Sequence, residues 1–396
     1  MEQSDVKAAY PSPGAQVWER FKHDKVALVG TGGVVFLVLV AVMAPFIANG
    51  RPLLLFRDGH LSLPFLRYLF APDTIEVVVE KFFNYILFFS IPSAIAWLML
   101  KRRKGLMLKI LAIWALILVV PFILVNPRLD KTDWRQECSS LKAGEFAIFA
   151  MVPYGPFENC AEPFLKPDRS HYFGTDQIGR DVLSRMVYGA RVSLAVGFLA
   201  TGLTMFFGIL IGMICGYFGG RFDFLMMRIV EIIMCFPTFL LLLILMAIMM
   251  DRKYQQSILL VIAVIGLTSW TGLSRIVRGE TLQQRALPYI KACESIGVSI
   301  WKILFRHILP NITGPILVSF TFGIAGSILA ESGLSFLGFG VQPPTASWGE
   351  LLRQAFSDPL RYWHLTLWPG LAIFIAVVSF NFAGEGLHRA FDPKSD

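Results

Sequence analysis

The sequence has few charged residues. Asp, Glu, Lys and Arg make up 16% of its 396 residues, whereas about 25% is usual in soluble domains. Hydrophobic residues make up 55%, and they come in runs long enough to cross a bilayer, for which roughly 20 residues suffice. This pattern excludes a soluble globular protein and predicts an all-α polytopic membrane protein.

The sequence also lacks the motifs of nucleotide and metal sites. It contains no GxxxxGK[ST] loop, so the chain itself is not expected to bind ATP through a Walker motif. The five cysteines form no CxxC pair and no cluster with histidine, so neither a metal site nor a cofactor is predicted here. Cys138 and Cys160 share one long polar loop, and a disulfide can join them if that loop is extracytoplasmic. The net charge of +8 requires no nucleic acid, since membrane proteins collect Lys and Arg on cytoplasmic loops.

Eight apolar runs are candidates for membrane spans. They cover residues 26–48, 82–100, 106–125, 192–218, 229–250, 257–274, 311–331 and 364–386. The first run follows a polar tail (1–25) and is too long for the apolar region of a signal peptide, so it should be retained. Basic residues cluster at 101–104 and between the sixth and seventh runs, and the positive-inside rule makes this side cytoplasmic. An even number of spans then places both termini in the cytoplasm.

The amino-acid composition of the chain changes near Tyr172. The core from 172 to 392 is rich in Gly and Pro, with a short tail at 393–396. Residues 49–171 lack this density of Gly and Pro in and beside the apolar runs, and they are predicted to be an insertion with two extra spans and extracytoplasmic loops. Small residues in the fourth span are expected to permit close helix packing in lipid; they are Gly197, Gly202, Gly208, Gly212 and Gly216.

A basic segment, PYIKACESIGVSIWKILFRHILPN, separates the sixth and seventh runs. Its apolar residues recur at a spacing of three or four, which predicts one face of a helix; they are Ile290, Cys293, Ile296, Ile300, Ile303, Leu304 and Ile308. Pro288 suits a first helical turn, and Pro310 should end the helix. Gly297 either breaks the segment into two short helices or lets another backbone approach. The pattern alone fits a helix lying on the membrane or one that docks a cytoplasmic partner.

Two further stretches carry charge close to apolar runs. In HYFGTDQIGRDVLSRMVYGARVSL, an interfacial elbow is predicted before the fourth span. Its arginines, Arg180, Arg185 and Arg191, are expected to extend to the lipid head groups. At the start of the fifth run, Arg228 and Glu231 are expected to form an i,i+3 pair at the inner membrane interface. His364, at the start of the last run, is expected at the membrane interface.

The stretch LAESGLSFLGFGVQPPTASWGELL follows a long uncharged run. Its acid, Glu331, lies at membrane depth, where an acid is either functional or paired with a neighbouring helix. The glycines and prolines behind it cannot form a regular span, and irregular backbone at that depth must be buried in protein or line a cavity. We therefore expect a gate or vestibule wall at the outer face, with Glu331, Phe336, Gly338 and Gly340 as candidate residues.

The basic segment at 288–311 resembles the cytoplasmic EAA loop of ABC-importer permeases. That loop reads Glu-Ala-Ala, three residues, Gly, nine residues, Ile, one residue, Leu-Pro. The matching positions are Lys291, Ala292, Cys293, Gly297, His307, Leu309 and Pro310, with Glu294 nearby. Lys291 replaces the acid, Cys293 the second alanine and His307 the isoleucine. The resemblance implies that these residues form an ATPase-coupling loop.

The other motifs narrow the resemblance to one subfamily. GTDQIGRDVLSR, YGARVSL and GEGLHRAFDPK are similar to permeases for dipeptides, oligopeptides and nickel, and the match is loose over 17–48 and close over 172–392. The resemblance implies a "C"-type subunit with a six-span core, to which this chain adds a pair of spans, giving about eight. The stretch IANGRPLLLFRDGHLSLPFLRYL resembles the start of the longer first loop in those permeases of the subfamily that handle long peptides and microcin C.

This resemblance implies a function and a set of partners. We expect the membrane-spanning permease of an ATP-driven importer of oligopeptides or dipeptides in the bacterial inner membrane. Its partners would be lipid, a sister permease, two ATP-binding subunits holding ATP and Mg, and an extracytoplasmic substrate-binding protein. No catalytic residue is expected in this chain and no nucleic acid partner. The alternatives are an ABC importer of a nickel chelate, glutathione or a sugar, or a secondary carrier.

Overall fold

The computed structural model describes residues 13–70, 77–100, 104–124, 132–142, 144–251 and 258–392. Within these ranges the chain is mostly helical. The elements before the core are α1 (Pro13–His23), α2 (Lys25–Ile47), β1 (Leu54–Arg57), β2 (His60–Ser62), α3 (Pro64–Phe70), α4 (Val77–Leu100), α5 (Lys104–Leu124), α6 (Trp134–Ser139) and β3 (Phe146–Ile148). The basic turn predicted at 101–104 and the two terminal tails lie largely outside the described residues.

The core contains the longer helices. They are α7 (Val182–Phe218), α8 (Gly220–Met234), α9 (Thr238–Asp251), α10 (Ile258–Ala286), α11 (Pro288–Ser295), α12 (Ile300–Lys302), α13 (Thr313–Phe336), α14 (Trp348–Gln354) and α15 (Trp363–Phe391). A π-helical turn (Ile303–Ile308) and a 3₁₀ turn (Leu309–Ile312) connect α12 to α13.

Six helical stretches of the described chain are long and apolar enough to cross a membrane, and a bent pair raises the number to seven. The predicted span 106–125 falls in α5, whose described apolar stretch, Met107–Ile117, is shorter than a bilayer needs. The predicted fold class, an all-α polytopic membrane protein, is confirmed. The predicted total of about eight spans is not.

The predicted span 229–250 is broken in the structure and is not one continuous helix. Helices α8 and α9 meet there at a bend of 83°. Pro237 has no N–H to donate, and its ring disfavours helical geometry at Phe236, so the helix stops before it. The apolar composition continues through the break, which is why the run reads as one span in the sequence.

The two ends of the described chain meet. Asp24 caps α2 by accepting hydrogen bonds from the backbone N–H groups of Val26 and Ala27, at 2.9 and 3.2 Å. The same carboxylate pairs with Arg389, near the end of α15, at 2.6 Å. Both terminal helices therefore lie at one end of the molecule, as the prediction that the termini share a side requires.

Close packing of α7 on α10 forms the centre of the core. A Cβ placed on Gly212 would lie 2.6 Å from the Ser274 carbonyl oxygen, and Gly208 and Gly216 meet α10 side chains as closely. Gly197 packs on α13 in the same way. The expectation of close packing is confirmed at these four glycines and is wrong at Gly202, which faces open space.

The insertion contains a small sheet that the all-α expectation omitted. Strand β1 pairs antiparallel with both β2 and β3, so that Leu55 lies opposite Ser62 on one side and Ala147 on the other. Because β3 follows α4 and α5 in the chain, the sheet joins the beginning of the insertion to its end. The sheet lies at the opposite end of α2 from the termini.

Candidate functional site

The predicted coupling segment consists of two short helical arms. Helix α11 begins at Pro288 and ends at Ser295, and Gly297 follows with φ of +76°. This left-handed conformation is open to glycine and costly for residues with a Cβ. Of the two alternatives left open by the sequence, the structure shows the break, since no other part of the described chain approaches within 4 Å of the Gly297 position.

Apolar side chains anchor both arms to the ends of α7 and α10. Ile290, Ile303, Leu304 and Ile308 are fully buried in a cluster with α7 and α10 side chains. The Tyr217 hydroxyl, near the end of α7, donates a 2.8 Å hydrogen bond to Glu294. The segment is therefore packed firmly on the core, and the Glu294 carboxylate is hydrogen-bonded within the chain.

The outer surface of the segment is apolar and aromatic. Ile296 is 78% exposed, and Ile300, Trp301 and Phe305 are exposed as well. The rings of Trp301 and Phe305 stack with centroids 6.1 Å apart. We call these four side chains the docking surface. The single apolar face predicted from spacing is wrong at Ile296 and Ile300, because the break at Gly297 changes the helical phase.

The remaining motif residues differ in exposure. Lys291, Ala292 and Pro310 are exposed, while Cys293, His307 and Leu309 are half-buried. The His307 carbonyl accepts a 2.6 Å hydrogen bond from the Asn311 side chain, which holds the exit turn. The sequence pattern missed Trp301 and Phe305, although their i,i+4 spacing off the apolar stripe was a usable signal.

The candidate gate residues lie in and just after the last turns of α13, in closely packed surroundings. Glu331 is fully buried, and its carboxylate accepts hydrogen bonds from Ser335 at 2.8 Å and from Ser193 of α7 at 3.2 Å. Its link to α7 matches the structural alternative for this acid. Gly340 lies against the Ser335 backbone, so close that a Cβ would be 2.5 Å from the Ser335 nitrogen. The Phe336 ring packs edge-on against Phe356, and Gly338 turns the chain with φ of +87°.

The three arginines predicted to reach lipid head groups are buried, so that prediction is wrong. Arg180 pairs with Asp176 at 2.6 Å, and Arg185 contacts Asp176 at 3.3 Å and Glu350 at 2.7 Å. A buried charge is tolerated when it is paired and hydrogen-bonded. The predicted interfacial elbow is also wrong, because α7 runs unbroken from Val182 into the core.

Arg191 connects the insertion to the core. Its guanidinium pairs with Glu80 and bonds Asn84 at 2.9 Å, both on α4. Its Nε donates to the Ala41 carbonyl of α2 at 2.6 Å. In a regular helix that carbonyl would accept the N–H of residue 45, but Pro45 has none. Arg191 thus satisfies both a proline-freed carbonyl and a buried acid of the insertion.

Three smaller predictions have mixed outcomes. The Arg228–Glu231 pair is confirmed at 2.7 Å. His364 is buried, with Nε2 3.1 Å from the Thr175 carbonyl oxygen, so its predicted place at the interface is wrong. Cys138 and Cys160 are free thiols. Burial raises the pKa of the Cys160 thiol to about 11.

Among the described residues, no group of three or more His, Cys, Asp or Glu side chains is placed to hold a metal ion.

Comparison with known proteins agrees with this architecture. Residues 208–396 match the family described as the binding-protein-dependent transport system inner membrane component. Residues 12–58 match the N-terminal transmembrane domain of oligopeptide transport permease C.

Individual relatives extend the similarity through the core. The chain is 38% identical over 256 residues to the dipeptide transport system permease protein DppC of Bacillus subtilis, covering 62% of this chain and 78% of the relative. It is 41% identical over 291 residues to the glutathione transport system permease protein GsiD of Escherichia coli O157:H7, covering 68% and 94%. With GsiD of Pectobacterium atrosepticum it shares 40% identity over 228 residues, covering 58% and 74%. The chain therefore belongs to the family of binding-protein-dependent permeases and is a multi-pass inner-membrane permease subunit of an ABC importer.

Proposed function

We propose that this permease carries oligopeptides or dipeptides and that the segment 288–311 docks a partner ATPase. The observation that carries the docking role is the docking surface itself. Its four apolar side chains are exposed, while both arms are fixed from below by buried isoleucines and a leucine. An exposed cluster of aromatic and aliphatic anchors on a rigid support is typical of a protein interface.

The orientation and partners belong to the same proposal. The exit turn at Pro310 and Asn311 shares a cavity with Trp18 and Phe21 of α1 and with Phe391 of α15. The docking segment and both terminal helices thus lie at one end, which we assign to the cytoplasm. The partners would be a sister permease, two ATPases holding ATP and Mg, and an extracytoplasmic substrate-binding protein, and catalysis would occur in the ATPases.

Alternating access would couple the two ends of the molecule. The docking surface must bind the two ATPase states with different free energies, since only that difference can shift the conformation of the spans. The rigid anchoring of both arms to α7 and α10 would pass the movement to the core. At the outer face, Glu331, Phe336, Gly338 and Gly340 would separate from the neighbouring layer when the path opens.

The choice of a peptide rests on the names of similar proteins. One relative is named for dipeptide transport and two for glutathione transport, and glutathione is itself a small peptide. Glutathione is therefore the second candidate substrate.

The experiment is uptake by the complete importer in proteoliposomes. The complex is purified with its co-expressed partners, and ATP-dependent uptake of labelled dialanine, a labelled pentapeptide and labelled glutathione is measured. We expect uptake of at least one peptide to need both ATP and the binding protein. Uptake of glutathione alone would select the second candidate, and uptake driven by an ion gradient without ATP would refute the proposal.

A paired variant tests the docking surface in the same assay. Ile296→Glu places a charge at the most exposed residue of the docking surface, whereas Ile178→Glu places one at an exposed position at the opposite end. We expect only the first to uncouple ATP hydrolysis from uptake or to release the ATPases. Equal behaviour of the two variants would show that the docking surface has no such role.

A further inference from the structure

Two cavities lie along one side of α10. The central cavity, of about 490 Å³, lies between α7, α9, α10 and α13 at the middle of the spans. The inner cavity, of about 810 Å³, lies between α8 and the cytoplasmic half of α10. Ile276 lines both, so the two spaces follow each other along the same helix.

The central cavity has a hydroxyl-bearing wall without charge. Six hydroxyl side chains line it: Thr201, Thr204, Thr238, Ser269, Ser319 and Ser327. Those of Thr201 and Ser327 bond each other at 3.1 Å, and that of Ser319 donates to the Pro315 carbonyl. A hydroxyl that donates within the protein still has lone pairs to accept from a solute. No ionisable side chain is among the described residues that line this cavity.

Open glycines leave this side of the chain uncovered. Ser269, Gly272 and Ile276 follow one face of α10, because they are spaced by three and four residues. A Cβ on Gly272, or on Gly326 of α13, would meet nothing within 4 Å. The wall is therefore open toward whatever lies beside this chain in the assembled importer.

The inner cavity carries both signs of charge. Asp223 holds Arg278 through two hydrogen bonds, one of them 2.6 Å, and Arg228 is paired with Glu231. Arg275 differs from these, since its guanidinium donates to the Met234 sulfur at 3.7 Å. Among the described residues that line the inner cavity, Arg275 is thus the cation without a carboxylate partner.

We propose that this face of α10 is the chain's half of the transport path. The inference rests on the proposed peptide-import function and deepens it. The central cavity takes the neutral polar groups of the peptide without selecting for side-chain charge. At the inner end, Arg275 receives the peptide's carboxylate. The opposite wall is supplied by the sister permease.

Tryptophan substitutions test the path with a matched control. Gly272 lines the inner cavity and Gly326 the central one, and Gly272→Trp and Gly326→Trp place an indole on their open side. Gly202→Trp is the control: a Cβ there also meets nothing within 4 Å, but Gly202 lines neither cavity. In proteoliposomes of the complete importer, we expect the first two to lose uptake of labelled dialanine while the complex and its basal ATP hydrolysis persist. Gly202→Trp should transport normally.

Several results would overturn the path. One is normal uptake by Gly272→Trp and Gly326→Trp. Another is loss of the sister subunit from these two variants but not from Gly202→Trp, because the face would then be a helix-packing surface. A smaller probe keeps the test independent of assembly. A charged methanethiosulfonate reagent should inhibit Ser269→Cys more than the wild type and more than Leu267→Cys, which is exposed on another face; equal inhibition would contradict the proposal.

The carboxylate role has its own variants. Arg275→Gln should lower dialanine uptake about ten-fold, the effect of losing one charge-assisted hydrogen bond. Arg275→Lys should retain most uptake, and Arg361→Gln, at an exposed position outside both cavities, should be unchanged. Wild-type uptake by Arg275→Gln would refute the role. A loss seen only in vesicles containing phosphatidylglycerol would assign Arg275 to lipid head groups instead.

These outcomes separate the path from the proposed function. If the wild-type importer takes up no peptide with ATP, the proposed function fails. If the wild type transports and the tryptophan and Arg275→Gln variants do so equally, only the path fails.

Discussion

The buried contact between Arg191 and the insertion allows a quantitative prediction. Glu80→Ala would leave the Arg191 guanidinium buried with neutral acceptors only, namely Asn84 and two carbonyls of α2. Breaking a buried ion pair from one side costs about 3–5 kcal/mol. Glu137→Ala is the matched control, because its pair with Arg57 spans 3.6 Å between half-exposed side chains and should contribute at most about 1 kcal/mol.

Pro45 adds a second-site test of the same contact. Replacing the pair, as in Arg191→Met with Glu80→Met, removes both charges but leaves the Ala41 carbonyl without a donor, at a cost of about 1–3 kcal/mol. Adding Pro45→Ala supplies the missing N–H and should restore that amount.

The purified protein in detergent is heated to a series of temperatures, and the monodisperse fraction that remains is measured by size-exclusion chromatography. The quantity compared is the temperature at which half of the monodisperse protein is lost. We expect a clear drop of the midpoint for Glu80→Ala, a much smaller one for Glu137→Ala, and partial recovery when Pro45→Ala is added to the double variant. An unchanged midpoint for Glu80→Ala, or no recovery on adding Pro45→Ala, would refute the reasoning.

Three further predictions follow from local geometry. Gly212→Ala should destabilise the chain by about 1–3 kcal/mol, because its Cβ meets the Ser274 carbonyl, whereas Gly202→Ala should stabilise α7 by up to about 1 kcal/mol; equal midpoints would contradict the packing. Gly297→Ala should cost about 1–2 kcal/mol through its positive φ and loosen ATPase binding, measured by co-purification against Gly202→Ala. Because burial raises the pKa of Cys160 to about 11, its thiol is protonated below that pH, so alkylation should be slow at pH 8 and quicken toward pH 11; fast alkylation at pH 8, or a reductant-sensitive gel shift, would show the prediction wrong.

Membrane spans were predictable from the sequence where one property decides them. Long uncharged runs predicted the apolar parts of α2, α10 and α15, because a bilayer demands both length and hydropathy. Helix α10 continues past the predicted end at 274 to Ala286, through charged residues that the run excluded. Pro237 could have indicated the break between α8 and α9. The apolar composition on both sides of it favoured one continuous span instead. The same reasoning located the segment 288–311 and the break point at Gly297, yet spacing alone could not show that the break exposes Ile296.

The buried arginines show where local reasoning ends. Arg185 and Arg191 look like interfacial residues because their own neighbourhoods are amphipathic. Their partners, Glu350 and Glu80, lie in distant parts of the chain, and no periodicity reports such a pairing. The two cavities along α10 were likewise invisible, since each combines side chains from several helices.

Crosslinking from the docking surface tests the central claim most directly. A photoreactive amino acid is placed at position 296, with position 178 at the opposite end as control, and the assembled importer is illuminated with and without ATP. The account predicts that position 296 captures an ATPase subunit, with a yield that changes with nucleotide, and that position 178 captures none. An intact, ATP-hydrolysing complex in which position 296 captures only lipid would contradict it.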